Sequence, residues 1–453
     1  MSSIGQSLAK GVNKVDNQHP WPSPAQGWYA VSILVIAYIF SFIDRTIIAL
    51  LVEPIKQDLQ ISDFGIGLLQ GLAFAIFYAL VGIPIGRLAD RYSRRRIITA
   101  GIFLWSLMTA ACALAKSFMS LFLVRVGVGI GEAALSPSAY SMISDLFPRE
   151  KLGRATGFYS AGAFLGLGIA FLAGGWVIQI LSSAGSIDLP LVGVMKPWQM
   201  TFIVVGLPGV LVAFLMMTVK EPVRRGKLTG HDKGIPLQLV VSYVKANGKL
   251  FTMLFSGFAL IAVPLTTFIT WGPAYMARVH NFSIAETGFM LGMILLFLSP
   301  AGAYFGGWLI DRLQKLGYAD ATLRVGLLVA ILLLPLSFYA TRISNSTMTI
   351  VLFCPYVFIM SMPIAAAPTT LQMLVPNQMR AQISAIWMLV LNILSAIAGP
   401  TLVGFITTYW LRDDIAVGSS LTLANCLSIL IAGLLLWAAI RPFRDALEGQ
   451  ESS

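Results

Sequence analysis

The stretch GRLADRYSRRRI, residues 86–97, sets five arginines and one aspartate between two long apolar runs. Such a concentration stands out, because only 11% of the 453 residues are charged while 57% are hydrophobic, and the mean hydropathy is +0.80. Soluble domains carry about 25% charged residues, so this is the composition of a membrane protein. The charged stretch then reads as a connection at a membrane edge, and the apolar runs on either side of it read as spanning helices.

A spanning helix needs roughly 20 mostly apolar residues. Outward from residues 86–97 the chain has room for twelve, near 27–51, 64–86, 97–115, 118–146, 154–181, 198–219, 250–275, 284–310, 323–341, 347–373, 381–409 and 416–440. The expected fold class is all-α integral membrane. Its parts are a cytoplasmic tail (1–26), a six-helix bundle (27–219), a cytoplasmic linker (220–249), a second six-helix bundle (250–440) and a cytoplasmic tail (441–453). Residues 1–26 lack the apolar core of a cleavable signal.

Cys112, Cys354 and Cys426 all fall inside expected helices and form no disulfide framework. His19, His231 and His280 fall in tails or loops without metal-ligand spacing. No cofactor and no metal site is expected. A membrane-embedded enzyme would need nucleophile, base or metal clusters, and neither GxSxG nor HExxH occurs.

Lys and Arg are retained on the cytoplasmic side of a membrane, so their distribution gives the orientation. With both termini inside, the inner tails and loops hold 23 of the 31 basic residues and the outer loops 6, while Arg45 and Arg125 fall within helices. The net charge of +11 therefore reflects topology and not nucleic-acid binding. A multi-pass protein of a bacterial inner (plasma) membrane is expected, working as a monomer in the lipid bilayer.

KEPVRRGKLTGHDKG, residues 220–234, divides the chain near its middle with the basic residues, glycines and proline of a linker. An internal repeat supports the division. GRLADR (Gly86–Arg91) recurs 221 positions later as GWLIDR (Gly307–Arg312), which carries Asp311 and Arg312, each at the end of the second helix of its half. Arg154 and Ala155 recur 226 positions later as Arg380 and Ala381, at the starts of the fifth and eleventh helices. Two six-helix halves repeated in parallel form a transporter architecture, with the substrate site between them near the midplane.

On these residues the chain resembles the major facilitator superfamily, and the resemblance spans nearly all of it. Gly86, Leu88, Asp90, Arg91, Arg94, Arg95 and Arg96 match that family's signature G-x-L-a-D-r-x-G-r-k-x, with Ser93 in place of the second glycine. The resemblance implies a gate. Asp90 would face the N-terminal end of the eleventh helix, whose unpaired N–H groups favour a carboxylate. Arg94 or a neighbour would pair with Asp145, and together these contacts would latch the two halves at the cytoplasmic face. Further, FIDRTIIALLVEPIKQDLQISDFGIGLLQG (Phe42–Gly71) and RVGVGIGEAALSPSAYSMISDLFPRE (Arg125–Glu150) look like the spinster-type branch. Members of that branch are associated with export of lysolipids and sphingoid lipids, and bacterial relatives with proton coupling. Sugar-acid and aromatic-acid proton symporters share the Gly-Glu-Ala and Asp-Leu-Phe-Pro elements.

Apart from any family, charges inside a bilayer are costly and mark pathways, pairs or proton relays. Four ionisable residues lie deep in the expected helices: Asp44, Arg45, Arg125 and Glu132. Asp44 lies seven residues before the outer end of the first helix and Arg125 seven after the outer start of the fourth, so both are about 10 Å deep. Glu132 is two turns further in, near the midplane and on nearly the same face as Arg125. A buried acid alone favours its protonated form and an adjacent arginine its carboxylate, so a change of partner can load or release a proton. The C-terminal half has no deep ionisable residue. Its candidates for the cavity are Thr266, Thr267, Thr270 and Trp271 in the seventh helix, Thr370 in the tenth and Asn392 in the eleventh.

The expected function is proton-coupled transport of a small amphiphilic substrate, of lysophospholipid or sphingoid-lipid type, by alternating access. Protons and the amphiphile are the expected partners. The alternative is a proton symporter of a small organic or sugar acid, or a multidrug exporter.

Overall fold

The computed structural model describes residues 20–189, 193–224, 237–375 and 379–451. Twelve helices there are long and apolar enough to cross a membrane. In the first half they are α1 (Pro24–Leu50), α2 (Asp63–Ala89), α3 (Arg94–Leu114), α4 (Phe118–Leu146), α5 (Lys151–Ala184) and α6 (Pro197–Met217). In the second they are α7 (Gly248–His280), α8 (Ile284–Lys315), α9 (Ala321–Ala340), α10 (Ser346–Leu374), α11 (Gln382–Leu411) and α12 (Asp414–Glu448).

Short polar residues set the boundaries of these apolar runs. Ser23, Ser62, Ser93 and Asn345 each accept the backbone N–H three residues on, satisfying a donor that the first helical turn leaves open. Ser117 with Ser120, and Ser283 with Glu286, do so reciprocally. Glycine and proline interrupt the runs within the bundle. The α2 span breaks at Gly71, α7 ahead of Pro264, and α10 ahead of Pro363. In α11 Gly399 leaves helical geometry (φ −97°, ψ −108°) beside Pro400.

The helices extend beyond the expected segments at several ends. The last runs as continuous helix from Val417 to Glu451, because Phe443 is fully buried and Leu447 packs beside it, so residues expected to form a free tail extend the bundle. The linker carries a helix, Leu237–Ala246, and the connection between α5 and α6 forms a small hairpin of β1 (Ile187–Leu189) and β2 (Gly193–Met195), with Ile187 opposite Met195.

Within the first half α1 packs on α5 and α6, and α3 on α4 and α6; within the second α7 and α9 pack on α12, and α8 on α10. The halves meet where α5 packs on α8, α2 on α11 and α1 on α7. The end of the bundle that carries residues 86–97 is called here the basic face. At the far end from it the two halves share one hydrophobic core, which joins Ile47, Leu50, Ile55, Ile66 and Phe171 to the residues of the second half. Nearer the basic face the first half has a separate core of its own, including Val31, Leu34, Ile98, Trp105, Met142 and Tyr159.

Glycines mark the same asymmetry. A Cβ on Gly71 of α2 would stand 2.9 Å from the Ala396 carbonyl oxygen, and one on Gly288 of α8 would stand 2.5 Å from the Phe171 carbonyl oxygen. Helices in a membrane approach closely where such small residues meet. Toward the basic face, a Cβ on Gly82, Gly86, Gly153 or Gly157 would meet nothing within 4 Å. The halves are thus closed on each other at the far end and parted at the basic face.

Candidate functional site

All four deep charges come together where α1 faces α4. Gly129 and Gly131 bring α4 close enough to its neighbours: a Cβ on Gly129 would stand 2.8 Å from the Phe74 carbonyl oxygen, and one on Gly131 2.7 Å from the Trp105 nitrogen. Glu132 follows directly, at the last residue before α4 breaks. Its Oε2 accepts from Arg45 Nη2 at 2.7 Å and from Ser41 Oγ at 2.7 Å, while its Oε1 accepts nothing. The Arg45 guanidinium lies 4.1 Å from the Phe74 ring centre and 5.2 and 5.3 Å from those of Phe42 and Tyr78. Such rings add a cation–π attraction to the ion pair. Arg45 remains 27% exposed at its side chain, whereas that of Glu132 is 0% exposed. The cation therefore borders the open space and its acid does not.

Arg125 does not pair with an acid. Its Nη1 and Nη2 donate at 3.1 Å to the backbone carbonyls of Asp44 and Arg45, so its charge is spent on clamping α4 to α1. Asp44 is fully buried and forms no ion pair, and the Thr109 hydroxyl lies beside it. Of the pairings open to two acids and two arginines, the structure makes one, Arg45 with Glu132.

The signature arginine is also paired, within the first half. Arg94, almost wholly buried, binds Asp145 at the end of α4 through Nη1 and Glu221, just beyond α6, through Nε at 3.0 Å. All three belong to the first half or its edge, so the Arg94–Asp145 contact staples α3, α4 and the segment after α6 and does not latch one half to the other. Glu221 also accepts from Ser93 Oγ and from the Arg95 backbone N–H, at 2.7 and 2.8 Å. Burial works against its charge, yet the Arg95 N–H, Ser93 and Arg94 hold its carboxyl below the usual range. The second half repeats the staple with signs exchanged. Buried Asp320 takes Arg324 Nε at 2.9 Å and Arg444 Nη2 at 2.7 Å, and these arginines hold its carboxyl low against the cost of burial.

The Asp90 side chain and residues 376–378, at the start of the eleventh helix, lie outside the described residues. His19 and His231 do too. Arg91, Asp311 and Arg312 are exposed, and Gly86 faces open space.

Among the described residues, every ion pair that bridges the halves lies at the far end from the basic face. Arg278 of α7 holds Asp63 at the start of α2 with Nη1 and Nη2, at 2.6 and 2.9 Å, and Glu53 with Nε at 2.6 Å. Lys56 completes the cluster on Asp63 at 2.9 Å and on Asp414 at 2.5 Å. These residues escaped the sequence reading because they stand at helix ends, where charges are ordinary. The signal was Asp63 beside its cap Ser62, since a helix-start acid that is fully buried needs cations from elsewhere.

The candidates of the second half are corrected in part. Thr267, Trp271 and Thr370 are buried between helices and line no open space in this conformation: Thr267 donates to Asn425 Oδ1 at 2.8 Å, Trp271 Nε1 to the Pro400 carbonyl at 3.0 Å, and Thr370 to its own helix. Small polar groups of this kind hold bundles together. Thr266, Thr270 and Asn392 are partly exposed, each bonded to the turn before it.

Residues 34–400 match the model of the Major Facilitator Superfamily. An MFS-type efflux pump of Mycolicibacterium smegmatis is 27% identical over 94% of this chain and 95% of its own length. Spinster homolog 1 of Xenopus tropicalis is 31% identical over 55% of this chain and 46% of its own length, and a probable L-galactonate transporter of Escherichia coli 26% identical over 64% and 63%. The fold superposes on the crystal structure of a bacterial homologue of the human lysosomal transporter spinster, inward-facing and unoccupied, with a TM-score of 0.79, 26% identity, and 94% of this chain and 99% of that one covered. With its twelve helices and a family match over most of its length, the chain belongs to the Major Facilitator Superfamily of membrane transporters and is spinster-like within it.

Proposed function

We propose that this protein is a proton-coupled secondary active transporter of an amphiphile, of lysophospholipid or sphingoid-lipid type, with Asp44, Arg45, Arg125 and Glu132 as its coupling and substrate residues. The observation that carries the reading is the contrast inside one buried cluster. Glu132 is paired with a cation and Asp44, on the same helix as that cation, is paired with none. An acid without a partner in low dielectric takes up a proton, and one paired with an arginine gives it up, so exchanging partners between the two acids couples protonation to movement of α1 against α4. Arg45, partly exposed among aromatic rings, is the cation that an anionic head group would meet, in competition with Glu132. The basic face is cytoplasmic in this reading, so the conformation is open inward, both termini lie inside, and the protein works as a monomer in a bacterial inner membrane.

A small organic or sugar acid would satisfy Arg45 equally well, and the likeness to the galactonate transporter supports that alternative. The efflux-pump relative keeps drug export as a third. Purified protein in proteoliposomes, with an imposed pH gradient, separates them when lysophosphatidylethanolamine, glucuronate and ethidium are offered in turn. The proposal expects pH-driven redistribution of the lysolipid, abolished by a protonophore. Accumulation of glucuronate or ethidium instead would overturn the lipid assignment, and movement indifferent to the gradient would overturn the coupling.

A further inference from the structure

Ser41 stands four residues before Arg45, one turn along the same face of α1, and is almost wholly buried. We propose that it is a positioning residue of the coupling site: its hydroxyl holds Oε2 of Glu132 while a proton enters and leaves at Oε1. The proposal rests on Glu132 being a proton-coupled group.

Two donors converge on one oxygen of this carboxylate. Ser41 Oγ and Arg45 Nη2 both reach Oε2 at 2.7 Å, and Oε1, equally buried, accepts no hydrogen bond. The groups that face this carboxylate or its arginine are few. They are Asp44 and Arg45 of α1, Arg125 of α4, and Tyr78 of α2 with Tyr38 of α1 beside Arg45; Cys112 of α3 lies beside Arg125, and Tyr159 of α5 stacks on Tyr38. None of them donates to Oε1.

The lone pairs of Oε1 are therefore the ones open to a proton. When the proton adds there, Oε2 becomes the carbonyl oxygen of a neutral acid and the Coulomb attraction to Arg45 is lost. Arg45 is then released toward an anion in the open space. Ser41 behaves differently, because a hydroxyl donates to a carbonyl oxygen as it does to a carboxylate. It keeps Glu132 in one rotamer through both protonation states, so that on departure of the proton the acid is already in place for Arg45 to return. A carboxylate anchored by the arginine alone would lose its anchor in the step that needs it.

Infrared titration of the full chain reconstituted in lipid tests this without knowledge of the substrate. The carbonyl stretch of protonated Glu132 is the band that Glu132→Gln removes. In Ser41→Ala that band is expected at higher wavenumber, because its oxygen has lost a donor. Ser41→Thr keeps the hydroxyl and should restore the position of the band. A band at the same position in wild type and Ser41→Ala would overturn the role of Ser41 and leave the coupling role of Glu132 standing. If Glu132→Gln removes no titrating band, the coupling reading fails, and this proposal fails with it.

Discussion

Arg278 grips Asp63 with both terminal nitrogens, at 2.6 and 2.9 Å, although the two residues stand 215 positions apart in opposite halves of the molecule. With Glu53, Lys56 and Asp414 they make the far end of the bundle a closed ionic seam. The aspartate is the hub, fully buried and met by two cations. Bidentate arginine–carboxylate pairs are among the stronger hydrogen bonds a protein makes, so opening the far end requires breaking this one.

Asp63→Asn should therefore favour the conformation open at the far end. Losing the charged partner of Arg278 and Lys56 is expected to shift the two-state balance by about 2 kcal/mol, roughly 30-fold in population. Distances between spin labels at the far ends of α2 and α7 would report it. An unchanged distance distribution would contradict the seam's role.

Substituting leucine at two glycines should push the same balance in opposite directions. At Gly288 a side chain meets the Phe171 backbone across the α5–α8 contact, so Gly288→Leu is expected to force the far end apart. At Gly86 there is open space now, and Gly86→Leu should instead hinder closure of the basic face. Overpacking costs about 1–3 kcal/mol, enough to invert a balanced equilibrium. Alkylation rates of single cysteines placed at each end would read both effects, and movement in one common direction would refute the geometry.

Acid should loosen the two staples. Glu221 and Asp320 both have carboxyls held below their ordinary range, so the stability they give is present above that range, near pH 4, and is lost as pH falls through their folded values. Asp320→Asn should lower the melting temperature of the protein in detergent at pH 7, and the loss should shrink as the wild type is acidified. A melting difference constant from pH 7 to pH 3 would contradict this origin.

Much of this was legible in the sequence. Spans were readable because apolar length is a strong signal, and the quartet was readable because ionisable residues are scarce where lipid surrounds the chain. Helix ends were less so: Phe443 and Leu447, isolated among charges, gave no sign that they pack and carry α12 onward. The partner of Arg94 was foreseen in Asp145, but Glu221 was not, because a lone acid in a basic linker looks like solvent-facing charge until the fold folds it back under Ser93. The choice of Arg45 over Arg125 for Glu132 depends on side-chain direction between two helices, and spacing along one helix does not contain it.

The arginines should respond differently from the acids. Arg45→Ala strands Glu132 without its cation and is expected to destabilise the protein by about 3–5 kcal/mol. Glu132→Gln keeps the shape and a weaker hydrogen bond, so its melting temperature should fall less. Thermal melts of the two purified variants side by side decide it, and equal losses would show that the pair is not the source.

The most direct test of the account is proton-driven accumulation by the Asp44→Asn, Glu132→Gln double variant in proteoliposomes, offered whichever of lysophosphatidylethanolamine and glucuronate the wild type concentrates. If these two acids carry the proton, the variant folds but no longer concentrates substrate against a gradient at any imposed pH difference. Robust uphill accumulation by that variant would contradict the coupling assignment.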